Sequence, residues 1–233
     1  MRGKPEKSMR FEACIFDLDG VIVDTAKYHY LAWKRLADDL HISFTEKDNE
    51  RLKGVSRMAS LEIILEIGNI NIDDVKKAGY AALKNKWYID YIDKMTPGEI
   101  LPGALEFINA LRNERIRIAL GSASRNTPLI LERVHLKDMF DAVVDGNMVH
   151  KAKPDPAVFL KAAELLGKDP NQCVVFEDAV AGVKAALNAG MICIGIGSRE
   201  VLNEAQMVIS GLSDIDLEKF HDLERELGYG KHL

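Results

Sequence analysis

The chain has 233 residues, with 31 Lys and Arg against 36 Asp and Glu, for a formal charge of −5 at pH 7. An acidic chain gains little counterion-release energy on nucleic acid or an anionic membrane, which argues against both as partners. Hydrophobic residues at 47% and charged residues at 29% suit a globular protein, and no apolar run approaches the roughly 18 residues of a membrane span.

Residues 1–10 carry basic charge without a hydrophobic period and read as a frayed extension, with Met9 as a candidate natural start. A short apolar run at 13–16 predicts a strand that ends at Asp17. From Thr25 to about Met95 no strand pattern occurs. Amphipathic text at 59–67 and 73–92, accompanied by Trp33, Tyr80, Trp87 and Tyr91, predicts an all-helical insertion. Thr96-Pro97-Gly98 and Leu101-Pro102-Gly103 punctuate the return from it. Apolar strand runs at 116–120, 142–144, 173–176 and 192–196 then alternate with helical patterns at 104–113, 128–134, 155–166 and 179–189. Short apolar strands alternating with helices predict an α/β fold, a doubly wound parallel sheet buried on both faces. Residues 1–24 and 96–233 would form this core and residues 25–95 the helical domain inserted in it. Cys14, Cys173 and Cys193 are far apart in apolar runs and form no CxxC, so buried free thiols in a reducing cytoplasm are expected.

In open α/β sheets the ligand crevice lies beyond the carboxyl ends of the strands. The first strand ends in Asp17-Leu18-Asp19-Gly20, and in extended backbone residues i and i+2 point the same way. The fourth ends in Glu177-Asp178. Clustered carboxylates repel unless a cation joins them, and an all-oxygen set suits Mg²⁺. The second strand leads into Ser122-Ala123-Ser124-Arg125-Asn126, whose hydroxyl and backbone N–H groups suit a phosphate oxygen. Lys153-Pro154 follows the third, with Pro154 introducing a helix. Alone, Ser122 is an N-cap and Lys153 a surface lysine. Together the four strand ends supply a nucleophilic carboxylate, a hydroxyl, a cation and a metal site, which is a set for phosphoryl transfer.

The run Asp17-Leu18-Asp19-Gly20-Val21, with Ser122, Lys153-Pro154 and Glu177-Asp178, resembles the four motifs of the haloacid-dehalogenase-like phosphotransferases, and the helical insertion sits where their cap does. Asp24-Thr25-x-x-x-His29-x-x-x-Trp33, Lys53-Gly54-Val55-Ser56-Arg57 and the Ser122–Asn126 run look like the β-phosphoglucomutase branch. Arg125 departs from the lysine expected there.

The resemblance implies a phosphomutase acting on β-glucose 1-phosphate and producing the 6-phosphate. Asp17 would be the nucleophile that forms an aspartyl-phosphate and Asp19 the general acid/base. Asp17, the Asp19 carbonyl, Glu177 and Asp178 would hold Mg²⁺. Ser122 and Lys153 would cradle the transferring group. Thr25 and His29, on the helix face that begins at the hinge, would belong to the catalytic set, and His29 with Lys53 would couple cap closure to the action of Asp19 as a base. Trp33, Lys53, Gly54, Val55, Ser56, Arg57 and Ser60 on the cap, with Ser122, Ala123, Ser124, Arg125 and Asn126 on the core, would bind substrate together with Asp19. Gly54 would permit close approach to the sugar, and Trp33 would close either the sugar pocket or the cap core. β-Glucose 1,6-bisphosphate is the implied phosphoryl donor, sugar phosphates are the implied partners, and a monomer is expected. A hydrolase of the same fold shares the catalytic set and is the alternative. A catalytically idle scaffold would lack a motif residue, and none is missing.

Overall fold

The computed structural model describes residues 11–227, so the reading of residues 1–10 lies outside the described residues. Six strands form one sheet: β1 (Ala13–Phe16), β2 (Arg117–Gly121), β3 (Ala142–Val144), β4 (Cys173–Glu177), β5 (Ile192–Ile196) and β6 (Met207–Ile209). Their order is β3-β2-β1-β4-β5-β6, and every neighbouring pair is parallel. The period-2 alternation of strand side chains divides the apolar runs between two faces. Cys14, Phe16, Val174 and Phe176 join one buried cluster, while Ala13, Ile15, Cys173 and Val175 join the other.

The first face is covered by α5 (Ala104–Asn113), α6 (Thr127–Arg133) and α9 (Leu217–Glu226), through Phe107, Ile130 and Phe220. Phe16 and Phe176 stack at 4.7 Å, with Phe107 edge-on to both. Burying each such ring contributes about 1.5–3 kcal/mol. The second face is covered by α7 (Ala157–Leu166) and α8 (Val180–Asn188), with Phe159, Val183 and Ala186 against the strands. All three cysteines are free and buried.

Between β1 and β2 the chain forms α1 (Ala26–Asp39), α2 (Glu46–Asn49), α3 (Arg57–Ile67) and α4 (Asp74–Ile92). Tyr28 lies against Tyr91, His29 against Tyr88, and Trp33 against Lys84, so α1 and α4 run antiparallel. Ser56 and Asp73 cap α3 and α4 by accepting from Ala59 and Lys76 N–H groups. The two links to the sheet are hydrogen-bonded to each other, Asp24 N to Glu99 O and Leu101 N to Ile22 O, both at 2.9 Å. Glu99 also accepts from Lys27 Nζ at 2.5 Å and from Tyr28 OH at 2.8 Å.

Three local expectations are corrected. The second strand begins at Arg117 rather than Ile116, because its register is set by Ala13 pairing with Arg117. Pro154 does not start α7; Pro156 occupies the N-cap and the helix begins at Ala157. Strand β6 and helix α9 had no counterpart in the sequence reading. Each β6 residue is only partly buried, so its apolar signal is short. No helix among the described residues is long and apolar enough to cross a membrane.

Candidate active site

Strands β1, β2 and β3 step outward in one direction and β4, β5 and β6 in the other, so the order reverses between β1 and β4. Ligands of open α/β sheets bind at that point, beyond the carboxyl ends. A cavity of about 650 Å³ opens there between the strand ends and the inserted helices.

At its floor, Lys153 Nζ donates to Asp17 Oδ1 at 2.5 Å and to Glu177 Oε1 at 2.7 Å, with all three side chains buried. The Phe159 ring lies 4.8 Å from the ammonium. Glu177 Oε2 accepts from Ala179 N at 2.9 Å, so both of its oxygens are engaged. Asp17, Glu177 and Asp178 bring one carboxylate oxygen each within 4.8 Å of one another. Burial pushes the Asp17 carboxyl up to about 7, against the pull of Lys153. Burial raises Asp178 as well, with the Glu177 and Asp17 charges adding to the shift. For Lys153 burial works the other way, yet the two carboxylates hold it above the usual lysine range.

Space at this floor is set by two glycines. A Cβ on Gly182 would fall 1.6 Å from Glu177 Oε1, and one on Gly20 would fall 2.3 Å from Asp178 Oδ2. Gly20 also has φ +80°, which an L side chain rarely adopts.

Asp17 and Asp19 do not converge by strand geometry, which corrects the i, i+2 argument. Strand β1 ends at Phe16 and the chain turns, with Asp19 N donating to Asp17 Oδ2 at 3.0 Å and Ile22 N to Leu18 O. The Asp19 carboxylate stands apart from the three-carboxylate group and accepts from Thr25 Oγ1. Burial raises its pKa, and the Thr25 hydrogen bond opposes the shift. Ser122 is likewise more committed than expected. Its N–H donates to Val144 O, and its Oγ accepts from Ser124 N at 3.1 Å.

The cap wall holds a second polar cluster. His29 Nδ1 lies 2.9 Å from Lys84 Nζ, and His29 Nε2 lies 3.9 Å from Asp19 Oδ1. Lys84 is 2% exposed, with its ammonium 4.7 Å from the Trp33 ring centre and 4.5 Å from that of Tyr88. Burial, then the Arg57 charge, pulls Lys84 down to about 7. Lys84 was missed in the sequence. Its signal was a lysine in the apolar register of α4, with Ala81 and Tyr88 at i−3 and i+4. Trp33 is both buried in the cap and part of the cavity lining.

Further along the cavity, Arg57 of α3 and Arg125 of the core are near enough that Arg125, after burial, lowers the Arg57 pKa. Ser56, Arg57, Ser60, Ala123, Ser124, Arg125 and Asn126 all line the cavity, as do Lys53, Gly54 and Val55. Gly54, at φ +71°, makes its close approach to the core, because a Cβ there would meet Ala179 Cβ at 2.9 Å. Thr25, Ser122 and Glu177 are fully buried and absent from the lining. Asn49, Lys84, Asn85 and His150 line the cavity without having been anticipated.

Residues 11–190 match the haloacid dehalogenase-like hydrolase family. The chain is 45% identical over 213 residues to the β-phosphoglucomutase of Bacillus subtilis, an alignment spanning 91% of this chain and 94% of that one. It is 34% identical over 184 residues to a phosphorylated carbohydrates phosphatase of Thermotoga maritima, spanning 77% and 82%. Among solved structures, the β-phosphoglucomutase of Clostridium difficile superposes with a TM-score of 0.89 at 39% identity, covering 93% of this chain and 98% of that one. The chain therefore belongs to the haloacid dehalogenase-like hydrolase family, in the branch that contains the β-phosphoglucomutases.

Proposed function

We propose that this chain is a phosphomutase that converts β-D-glucose 1-phosphate to β-D-glucose 6-phosphate through an aspartyl-phosphate and β-D-glucose 1,6-bisphosphate. The observation that carries this reading is that one cavity has two places for a phosphate. A nucleophilic carboxylate with a buried ammonium lies at its floor, and a pair of arginines, neither of them bonded to that carboxylate, also lines the cavity. A substrate phosphorylated at both ends needs both. Residues 25–95 act as the cap and the rest of the described residues as the core.

Phosphorylated Asp17 transfers its phosphoryl group to the C6 hydroxyl of the 1-phosphate, while Asp19 accepts the hydroxyl proton. The bisphosphate turns around, Asp17 takes the C1 phosphoryl group, and Asp19 returns a proton to the departing C1 oxygen. Lys153 and Ser122 hold the transferring group, and Thr25 and His29 set the position of Asp19. Arg57, with Ser124, Arg125 and Asn126, grips the far phosphate, and Arg57 and Arg125 can do so through bidentate forks. Lys53, Gly54, Val55, Ser56, Ser60 and Trp33 shape the sugar side of the pocket.

The floor fits a hard divalent cation, because three buried or half-buried carboxylates, Asp17, Glu177 and Asp178, bring an oxygen each within 4.8 Å of one another, and the one ammonium there reaches only Asp17 and Glu177. Asp17 and Asp178, with Glu177 and the Asp19 carbonyl, would hold Mg²⁺, which when bound neutralises charge on the transferring group.

A phosphatase reading draws on the Thermotoga maritima relative. The two readings separate in one assay, following Mg²⁺, β-glucose 1-phosphate and a trace of β-glucose 1,6-bisphosphate by phosphorus NMR. Glucose 6-phosphate with little free phosphate is expected. Inorganic phosphate as the main product overturns the mutase reading.

A further inference from the structure

A pair of amides joins the two walls of the cavity. Nδ2 of Asn126, at the N-cap of α6 in the core, donates to Oδ1 of Asn85, on α4 of the cap, at 2.9 Å. Both residues line the cavity. On the core side the loop that carries Asn126 is fixed by its own bonds, Asn126 N to Ser124 Oγ at 3.2 Å and Thr127 Oγ1 to Ser124 O at 2.9 Å. The Asn126 side chain takes no part in these bonds, makes no cap hydrogen bond to α6, and is held from the cap.

The charges beside this pair explain why it is neutral. Arg57 on the cap and Arg125 on the core repel each other, so the charged groups here oppose closure of the two walls. An amide pair bridges the walls with no charge of its own. An amide nitrogen carries two N–H groups, so the one taken by Asn85 fixes the plane in which the other is presented.

We propose that Asn85 is a positioning residue: by accepting from Asn126 across the cavity, it aims the Asn126 amide at the far phosphate of the substrate and fixes the register in which the cap meets the core. The inference takes its ligand from the mutase reading, while the pair itself stands on the geometry alone.

The test is a double-mutant cycle on the full chain with Asn85→Ala, Asn126→Ala and the double variant. Lys86→Ala, at the exposed neighbour of Asn85, is the control. Both asparagines are half-buried, so truncation opens no core cavity. Each single variant should lower kcat/KM for β-glucose 1-phosphate by roughly three- to tenfold, mainly through KM, as the loss of one hydrogen bond implies. The double variant should be no worse than Asn126→Ala alone, since Asn85 acts through Asn126. Multiplied losses, or an Asn85→Ala enzyme equal to wild type, overturn the proposal. If the wild type converts no sugar phosphate, the mutase reading fails. The pair is still read by the Asn126 side-chain amide resonance, identified by its absence in Asn126→Ala. A shift of that resonance in Asn85→Ala supports the pair, and an unmoved resonance overturns it.

Discussion

Lys84 Nζ lies 2.9 Å from His29 Nδ1, on the side of the ring opposite the Nε2 that faces Asp19. Burial, with Lys84 and then Arg57 adding to it, holds the His29 pKa well below the usual imidazole value, so the ring is neutral at pH 7. A neutral ring that accepts at Nδ1 carries its proton on Nε2, the nitrogen 3.9 Å from Asp19 Oδ1. The general acid/base candidate therefore has a ring N–H turned toward it from the cap, beyond direct hydrogen-bond reach.

Lys84, pulled down to about 7, is largely uncharged at pH 8. A dianionic sugar phosphate entering the cavity favours the ammonium and raises that pKa. Binding at pH 8 should therefore take up a fraction of a proton, because the phosphate itself, with its second pKa near 6, is already a dianion. Calorimetry in buffers of different ionisation enthalpy should show the uptake in wild type and its disappearance in Lys84→Met. Apparent affinity should also weaken as the pH rises from about 7 to 9. Heats that do not vary with the buffer at pH 8 would sink this assignment.

The carboxylate floor makes stability depend on pH in an unusual direction. Asp17 is pushed up to about 7 mainly by burial, and Asp19 and Asp178 move the same way. An unfolded aspartate titrates near 4, so between about pH 4 and 7 the folded chain holds protons that the unfolded chain has lost. Stability from these groups consequently falls as pH rises across that window. In chelator-treated protein the melting temperature should drop from pH 5 to pH 8, and excess Mg²⁺ should reverse the drop. The Mg²⁺-induced rise should be larger at pH 8, where the carboxylates are ionised. An equal rise at both pH values would mean that the metal binds elsewhere.

Lys153→Met removes the ammonium shared by Asp17 and Glu177 and leaves two buried carboxylates without it. Breaking a buried pair from one side costs about 3–5 kcal/mol. Protonating the carboxylates relieves part of that cost, so thermal melting should show a larger loss at pH 8 than at pH 5. Phosphoryl transfer should fall by about 100-fold or more, given the typical loss for an electrostatic stabiliser. A melting loss that is the same at both pH values would show that the ammonium is not compensating these carboxylates.

The sheet was legible because its strands are short apolar runs ending in chemistry. Ala13–Phe16 ends at Asp17 and Cys173–Glu177 carries its own acid, so both site and topology are written in the same residues. Less legible was anything that depends on partners distant in sequence. The commitments of Ser122 to Val144 and to Ser124 come from the β2–β3 register and a local turn. Lys84 stands in the apolar register of α4, but its partners appear only when α1 packs against it and places Trp33 and His29 on its ammonium. Asn85 carried no motif, and only the meeting of α4 with the loop before α6 gives it a partner. Strand β6 lacked a signal because edge strands are short and only half covered.

Gly182→Ala offers a test in which the ordinary sign of a substitution should invert. Glycine inside a helix is less stable than alanine by roughly 0.5–1 kcal/mol, and Gly182 lies within α8, so replacement alone predicts a higher melting temperature. The new Cβ, however, would stand 1.6 Å from Glu177 Oε1 and 2.0 Å from its Cδ. The carboxylate cannot stay where it is. It must leave Lys153 or give up the Ala179 N–H, both of which it now engages. The variant should melt lower than wild type and bind Mg²⁺ more weakly, with phosphoryl transfer falling in step with metal affinity. A control at Gly79, whose added Cβ would meet nothing within 4 Å, should show the ordinary stabilising sign. If Gly182→Ala also raises the melting temperature and leaves Mg²⁺ affinity unchanged, Glu177 is not held by this contact, and its place in the catalytic floor must come from Lys153 alone.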